Sequence, residues 1–270
     1  MNAIELSQPP LTRRTWFVRV LQASVIAFFI VAWEALGQLG VLDKFFYSRP
    51  SLIAPRIAQW FAEGPTDTSI YTDIRVTLTE TILGFIVGTA AGLAVGYSFA
   101  RNWLLGQAFD PLLSMFNAIP RLVLAPVFIL AFGIDMASKV ALGVTLVFFI
   151  VFFATFTAVR DVDQTLVDNV RVLGARRRDV TIHVLLPAAF SAIVASLRTS
   201  AGFAFAGAIV AEYIGSSVGV GRRIANSEAF FDSTGVFGGI VVIAILALAL
   251  DALLQIVEGS FSRWKPRRER

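Results

Sequence analysis

The residues of this chain best equipped for chemistry lie in one interior stretch, Asp168 to Pro187, which reads DNVRVLGARRRDVTIHVLLP. It holds Asp168, Arg171, Arg176, Arg177, Arg178, Asp179 and the only histidine, His183. Charge this dense between two apolar runs of bilayer length suits a surface segment that faces the cytoplasm and touches a partner there. It does not suit catalysis, because no G-x-S-x-G, H-E-x-x-H or paired acid arrangement occurs. The three lysines, Lys44, Lys139 and Lys265, never follow a glycine, so no phosphate-cradling loop is encoded and ATP hydrolysis by that route is excluded. The absence of cysteine excludes disulfides, thiolate metal sites and thiol catalysis, and a single histidine argues against a histidine metal site or proton relay. No catalytic residue, metal site or cofactor site on this chain is expected.

The stretch has a local pattern of its own. Val170, Leu173, Val180 and Val184 recur near helical spacing, which predicts short amphipathic helices. Gly174 interrupts them as a glycine does at a helix end, and Pro187 fits the first turn of the following helix. The order Asp168-Asn169-Val170, three residues, Gly174, nine residues, Val184-Leu185-Leu186-Pro187 resembles the cytoplasmic signature of the membrane-spanning permease subunits of ABC importers. That signature is Glu-Ala-Ala, three residues, Gly, nine residues, Ile-x-Leu-Pro. The spacing agrees at every step, while Glu-Ala-Ala is reduced to Asp-Asn-Val with the leading acid kept.

The resemblance implies a type I ABC importer fold in which this loop forms a coupling helix docked in a groove of the ATPase subunit. Its contact residues here would be Asp168, Asn169, Val170, Arg171, Leu173, Gly174, Ala175, Arg176, Arg177 and Pro187. It also implies the partners: two ATPase subunits carrying ATP and Mg, a second permease copy (identical or paralogous), and a periplasmic or lipid-anchored solute-binding protein. The other reading of the same arginines is an ordinary basic loop that fixes topology.

The elements that must position this loop follow from composition. The 270 residues are 56% hydrophobic and 16% charged, against about 45–50% apolar and 25% charged for soluble domains, and the mean hydropathy is +0.73. An all-α integral membrane protein with about six transmembrane helices is predicted, in contact with lipid. The arginines sit mainly at span ends, as topology signals and not as a nucleic-acid surface. Residues 1–16 read as a cytoplasmic tail, 17–75 as a first span and periplasmic segment, 76–260 as the permease core with its loop at 160–187, and 261–270 as a basic cytoplasmic tail. The spans predicted are Val20–Leu39, Leu78–Ala100, an irregular Leu104–Gly133, Ser138–Thr157, Ser191–Ile214 and Val236–Val257. Before the second, Leu52–Phe61 reads as a short amphipathic helix with Trp60 at the membrane surface.

Three places are candidates for the substrate path. Asn117, Pro120 and Pro126 interrupt an apolar stretch, which implies a broken helix, and non-helical backbone persists at membrane depth only where protein buries it or a cavity is lined by it. Arg121 beside this break serves either an anion path or a structural ion pair. The importer subgroup for nitrate, taurine and other sulfonates, which the chain resembles over most of its length, has Ile-Pro-Pro where this chain has Ile119-Pro120-Arg121. Its Leu-Arg and Ala-Glu correspond to Leu197-Arg198 and Ala211-Glu212, and its intervening tryptophan is replaced by small residues and Phe205. Arg198, Thr199 and Glu212 thus join Asn117, Pro120 and Arg121 as path candidates, for a small and anionic solute. Gly84, Gly88, Gly92 and Gly96 recur every fourth residue and make a groove for a close helix neighbour, either in ordinary bundle packing or at a subunit interface.

Six spans place both termini on one side, with Arg13, Arg14, the arginine-rich loop and the basic tail. The positive-inside rule makes that side the cytoplasm of a bacterial inner membrane protein. An ion-gradient-driven secondary transporter is the alternative, but it calls for inverted repeats and paired intramembrane acids, and no clear repeat is present.

Overall fold

The structure, a computed structural model, describes residues 15–64 and 69–261. The N-terminal tail with Arg13 and Arg14, and the basic tail 262–270, lie outside these residues. The described chain is helical throughout, without a strand. A first long helix, α1 (Thr15–Gln38), leads through short α2 (Lys44–Tyr47) and α3 (Pro50–Ala62) into α4 (Ile70–Arg101). The next stretch is broken into α5 (Trp103–Ala118), a 3-10 turn (Arg121–Leu124) and α6 (Ala125–Phe132). Then come α7 (Met136–Arg160), α8 (Gln164–Val172), α9 (Arg177–Val180), a π-helical turn (Thr181–Leu185), α10 (Leu186–Ile214), α11 (Val220–Ala229) and α12 (Ser233–Phe261).

Five of these helices are long and apolar enough to cross a membrane: α1, α4, α7, α9–α10 taken together, and α12. The sixth predicted span is instead two helical pieces. Pro120 supplies no N–H and the chain turns extended at Ile119 (ψ 126°), so α5 ends there. Pro126 then sits in the first turn of α6, where a missing donor costs nothing. The pieces still return across the bundle, because α4 and α7 run parallel and Arg101 and Met136 lie at opposite ends.

That parallel pairing is the core, and glycine creates it. A Cβ on Gly84 would come 3.2 Å from the Gly143 backbone; on Gly88, 2.9 Å from the Val144 carbonyl; on Gly92, 2.9 Å from the Phe148 carbonyl; on Gly96, 2.7 Å from the Phe152 carbonyl. Each step of four residues on α4 meets a step of four on α7, so the groove is filled inside this chain and not by a second subunit. Around the seam, Leu142, Val147, Val151 and Phe152 of α7 and Ala204 of α10 are buried.

The two ends of the bundle are distinct. Glu34 on α1 accepts a hydrogen bond from the Ser51 N–H of α3 at 2.9 Å, and Trp33 meets Phe237 of α12 with ring centroids 5.3 Å apart. Trp60 was expected at the membrane surface; it is instead buried beneath the Arg223 guanidinium, 5.1 Å from its ring, because α3 folds onto α11 and α12. The region 215–233, expected as a polar loop, contains α11. At the other end, α8 and α9 pack below α4 and α10. Since α1 rises toward Ser51 and α12 descends from Thr234, Thr15 and Phe261 both lie at the α8–α9 end.

Candidate functional site

The charged stretch folds as its pattern predicts: helix, glycine turn, short helix, proline, long helix. Asp163 starts α8 by accepting the Thr165 N–H at 2.8 Å, and that bond holds its carboxyl below the usual carboxylate range. The far end of α8 closes with a two-bond C-terminal motif. The Gly174 N–H donates to the Arg171 carbonyl at 2.9 Å and the Ala175 N–H to the Val170 carbonyl at 3.2 Å. This requires a left-handed residue, and Gly174 has φ +89°. Asp179 then accepts the Arg176 N–H at 2.9 Å and opens α9.

Burial decides which side chains anchor the segment and which it presents. Val167, Val180 and Leu185 are buried with Val159 and Ala189, and Tyr97 of α4 meets Thr181 hydroxyl to hydroxyl at 2.8 Å. Of the predicted inward stripe, Val180 is buried and Val170 and Val184 are half-buried. Leu173 departs from it. As the C-cap it lies past the last helical turn and is 86% exposed, beside Val172 at 87%, while Val167 takes the inward place. Asp168 and Arg171 pair at 3.3 Å on the open face with Asn169 and Arg176, and the Arg177 side chain lies outside the described residues. Pro187 is in the first turn of α10. The result is an exposed apolar tip, Val172–Leu173, rimmed by charge on a segment packed firmly from behind.

The path candidates do not converge on one site. Pro120 and Arg121 stand at the break between α5 and the 3-10 turn, with the Arg121 guanidinium 4.5 Å above the Phe149 ring of α7. The Asn117 side chain lies outside the described residues. Arg198 forms a two-point ion pair with Asp251 of α12, Nε to Oδ1 at 3.0 Å and the second guanidinium nitrogen to Oδ2 at 3.1 Å, with nearly half of each side chain exposed. Thr199 is exposed next to it. Glu212, the remaining candidate, is fully buried and belongs to a hydrogen-bonded network at the opposite end.

That network was not anticipated. Thr77 donates to Glu212 at 2.6 Å, and the N–H groups of Val220 and Gly221 donate to Thr77 at 3.1 Å and to Glu212 at 2.7 Å. Asp73 accepts the Gly219 N–H at 2.9 Å and the Arg223 Nε–H at 2.6 Å. Glu80 lies against Glu212, and buried Lys139 of α7 is the cation near both. Gly219 (φ +125°) lets the chain pass directly over the Glu212 carboxyl. A readable signal existed: Asp73, Thr77, Glu80 and Thr81 make a polar stripe at helical spacing on an apolar helix.

Comparison with known proteins agrees with this architecture. Residues 82–263 match the family described as binding-protein-dependent transport system inner membrane component. The aliphatic sulfonates transport permease protein SsuC of Bacillus subtilis, so named as a putative assignment, is 31% identical over 258 residues, covering 96% of this chain and 91% of the relative. The taurine transport system permease protein TauC of Escherichia coli is 25% identical over 256 residues, 94% of this chain and 92% of that one. A chain of the inward-facing MetNI methionine ABC transporter superposes with a TM-score of 0.60 at 18% identity, over 70% of this chain and 94% of its own, which bears on the fold. With 182 matched residues in the transport family and a relative above 30% identity along nearly its whole length, the chain belongs to the inner-membrane permeases of binding-protein-dependent ABC importers, a membrane subunit whose ATP hydrolysis resides in partner chains.

Proposed function

We propose that this permease forms the membrane path for a small organic anion of the sulfonate class and is driven through the 168–187 segment. The observation that carries the proposal is the presentation of Val172 and Leu173, 87% and 86% exposed, on a rigid, glycine-closed helix end. Two large apolar side chains held outward at the charged end of a membrane bundle lower their free energy by entering a partner's groove. The groove belongs to an ATPase subunit, and Asp168, Asn169, Arg171, Gly174, Ala175, Arg176 and Arg177 rim the contact. The sulfonate class is drawn from the names of the relatives, aliphatic sulfonates and taurine.

The working assembly holds two permease copies, two ATPase chains with ATP and Mg, and a solute-binding protein at the α3–α11 end. The α8–α9 end, with both chain termini, faces the cytoplasm by the positive-inside rule. ATP binding draws the two coupling segments together, and rigid-body rocking switches access between the two faces. Arg121 beside the α5–α6 break, with Asn117 and Pro120, and Arg198 with Thr199 supply polar groups to the path. The test is uptake of radiolabelled taurine and ethanesulfonate into proteoliposomes containing the permease, its ATPase and its binding protein. ATP-dependent uptake is expected. Uptake by the permease alone under an ion gradient would overturn the proposal in favour of a secondary transporter.

A further inference from the structure

At the end of the bundle opposite the 168–187 segment, a cavity of about 330 Å³ opens between α3, the start of α4 and α11. Its size is in the range that holds a small organic molecule. Three guanidinium groups reach it. Two already have acids: Arg223 pairs with Asp73 at 2.6 Å, both largely buried, and Arg56 pairs with Asp232 at 3.2 Å, both about a third exposed. The third, Arg222, is half-buried and has no acidic partner among the described residues. Among the described residues the walls therefore carry one uncompensated positive charge inside a recess. Asn226, Ser227 and Ser217 add hydrogen-bonding groups, and the Trp60 ring and Phe230 offer apolar surface.

The recess is also stiff. Arg223 is fixed by Asp73 and stacked on Trp60 at 5.1 Å, and α11 is tied to α4 through the Gly219 and Val220 N–H groups and to Glu212 of α10 through Gly221. A guanidinium whose neighbours are already paired keeps its planar fork of donors for an incoming oxyanion. Neither acid competes for Arg222, since each is engaged by another arginine. Asp73 and Asp232 instead hold Arg223 and Arg56 in place, which keeps three cations from repelling one another out of the cavity.

We infer that this cavity is an anion-binding site for a small organic sulfonate, with Arg222 taking the charged head, Asn226 and Ser227 supplying further hydrogen bonds, and Trp60 and Phe230 meeting the aliphatic part. The inference rests on the sulfonate reading above and adds a site on the permease itself, separate from Arg121 and Arg198. A sulfonate leaving a binding protein at this face would meet the permease here before entering the bilayer.

The test measures equilibrium binding of radiolabelled taurine and ethanesulfonate to the assembled permease–ATPase complex in lipid nanodiscs without the binding protein. Saturable binding is expected, with a loss of at least about tenfold in affinity for Arg222→Gln, the scale of a lost charge-assisted contact. Arg222→Lys is expected to retain part of it, and Asn226→Ala, which leaves every ion pair in place, to lose less; these two variants keep the test open if Arg222→Gln misassembles. Binding unchanged in Arg222→Gln would overturn the site. Absent wild-type binding alongside normal ATP-driven taurine uptake would overturn it while leaving the proposed function standing. If neither binding nor uptake of any sulfonate is seen, both fail. If Arg222→Gln abolishes only capture of the binding protein, the cavity is a protein-docking surface and the inference is overturned.

Discussion

The α4–α7 seam gives the sharpest energetic prediction, because alanine substitutions at different glycines meet measurably different surroundings. Alanine is favoured over glycine in a helix by about 1 kcal/mol. At Gly202 on α10 an added Cβ meets nothing within 4 Å, so Gly202→Ala keeps that gain. At Gly84 the new carbon lies 3.2 and 3.3 Å from Gly143 backbone atoms, a tight contact that a few tenths of an ångström relieve, and the gain and the strain nearly cancel. At Gly96 it lies 2.7 Å from the Phe152 carbonyl oxygen and 3.1 Å from the Thr155 Cβ. Neither atom can rotate away, so the helices must separate. Overpacking of this kind costs about 1–3 kcal/mol, which leaves Gly96→Ala up to about 2 kcal/mol less stable than the parent after the propensity gain. At about 2–4 °C per kcal/mol for a chain of this size class, thermal melts in one detergent should rank Gly202→Ala above Gly84→Ala above Gly96→Ala. A Gly96→Ala protein that melts at or above Gly202→Ala would refute the claim that backbone-to-backbone contact at this seam sets the packing.

Three further outcomes are expected. Gly174→Ala meets no steric neighbour, so its cost is that of φ +89° alone, about 1 kcal/mol; uptake per ATP hydrolysed should fall in proteoliposomes while assembly persists, and an unchanged ratio counts against the segment as the point of coupling. Leu173→Asp alters a side chain 86% exposed, so the melting temperature of the isolated permease should hold while affinity for the ATPase, read by titration in detergent, drops at least tenfold, about 1.4 kcal/mol. Lys139→Met removes the buried cation whose charge acts on Glu80 and Glu212 and whose ammonium donates to the Ile134 and Asp135 carbonyls, and should destabilise by about 1–3 kcal/mol; pairing it with Glu80→Leu should recover part of the loss, and additivity of the two losses would show that the groups do not interact.

Much of the molecule was legible because a bilayer simplifies the reading. Long apolar runs must be helices, since backbone polar groups find no water there, and Asn117 with the prolines at 120 and 126 marks the broken stretch. The 168–187 segment was readable for a local reason: a glycine closing one helix and a proline opening another are commitments of the backbone itself. What escaped was non-local. Arg198 and Glu212 looked alike in sequence, each an isolated charge in α10. One pairs with Asp251, 53 residues away, on a partly open face, and the other is sealed by Thr77, 135 residues earlier. No pattern within α10 separates them, because the deciding partners sit on α12 and α4.

The long helix α4 explains why the two ends of this chain need not be considered separately. Its 32 residues extend about 48 Å at 1.5 Å per residue, farther than the ~30 Å hydrocarbon core. Near one end, Tyr97 meets Thr181 in the segment that bears Leu173; near the other, Asp73 and Thr77 hold the N–H groups that start α11 and, through Arg223, one wall of the cationic cavity. Between these ends the glycine seam leaves no void into which α4 could bend toward α7. A force applied at the Val172–Leu173 tip therefore has a stiff route to the opposite face, because close-packed helices transmit displacement instead of absorbing it. Loosening the seam should then weaken transport even where both ends remain intact, which distinguishes a mechanical role for the glycines from a purely structural one.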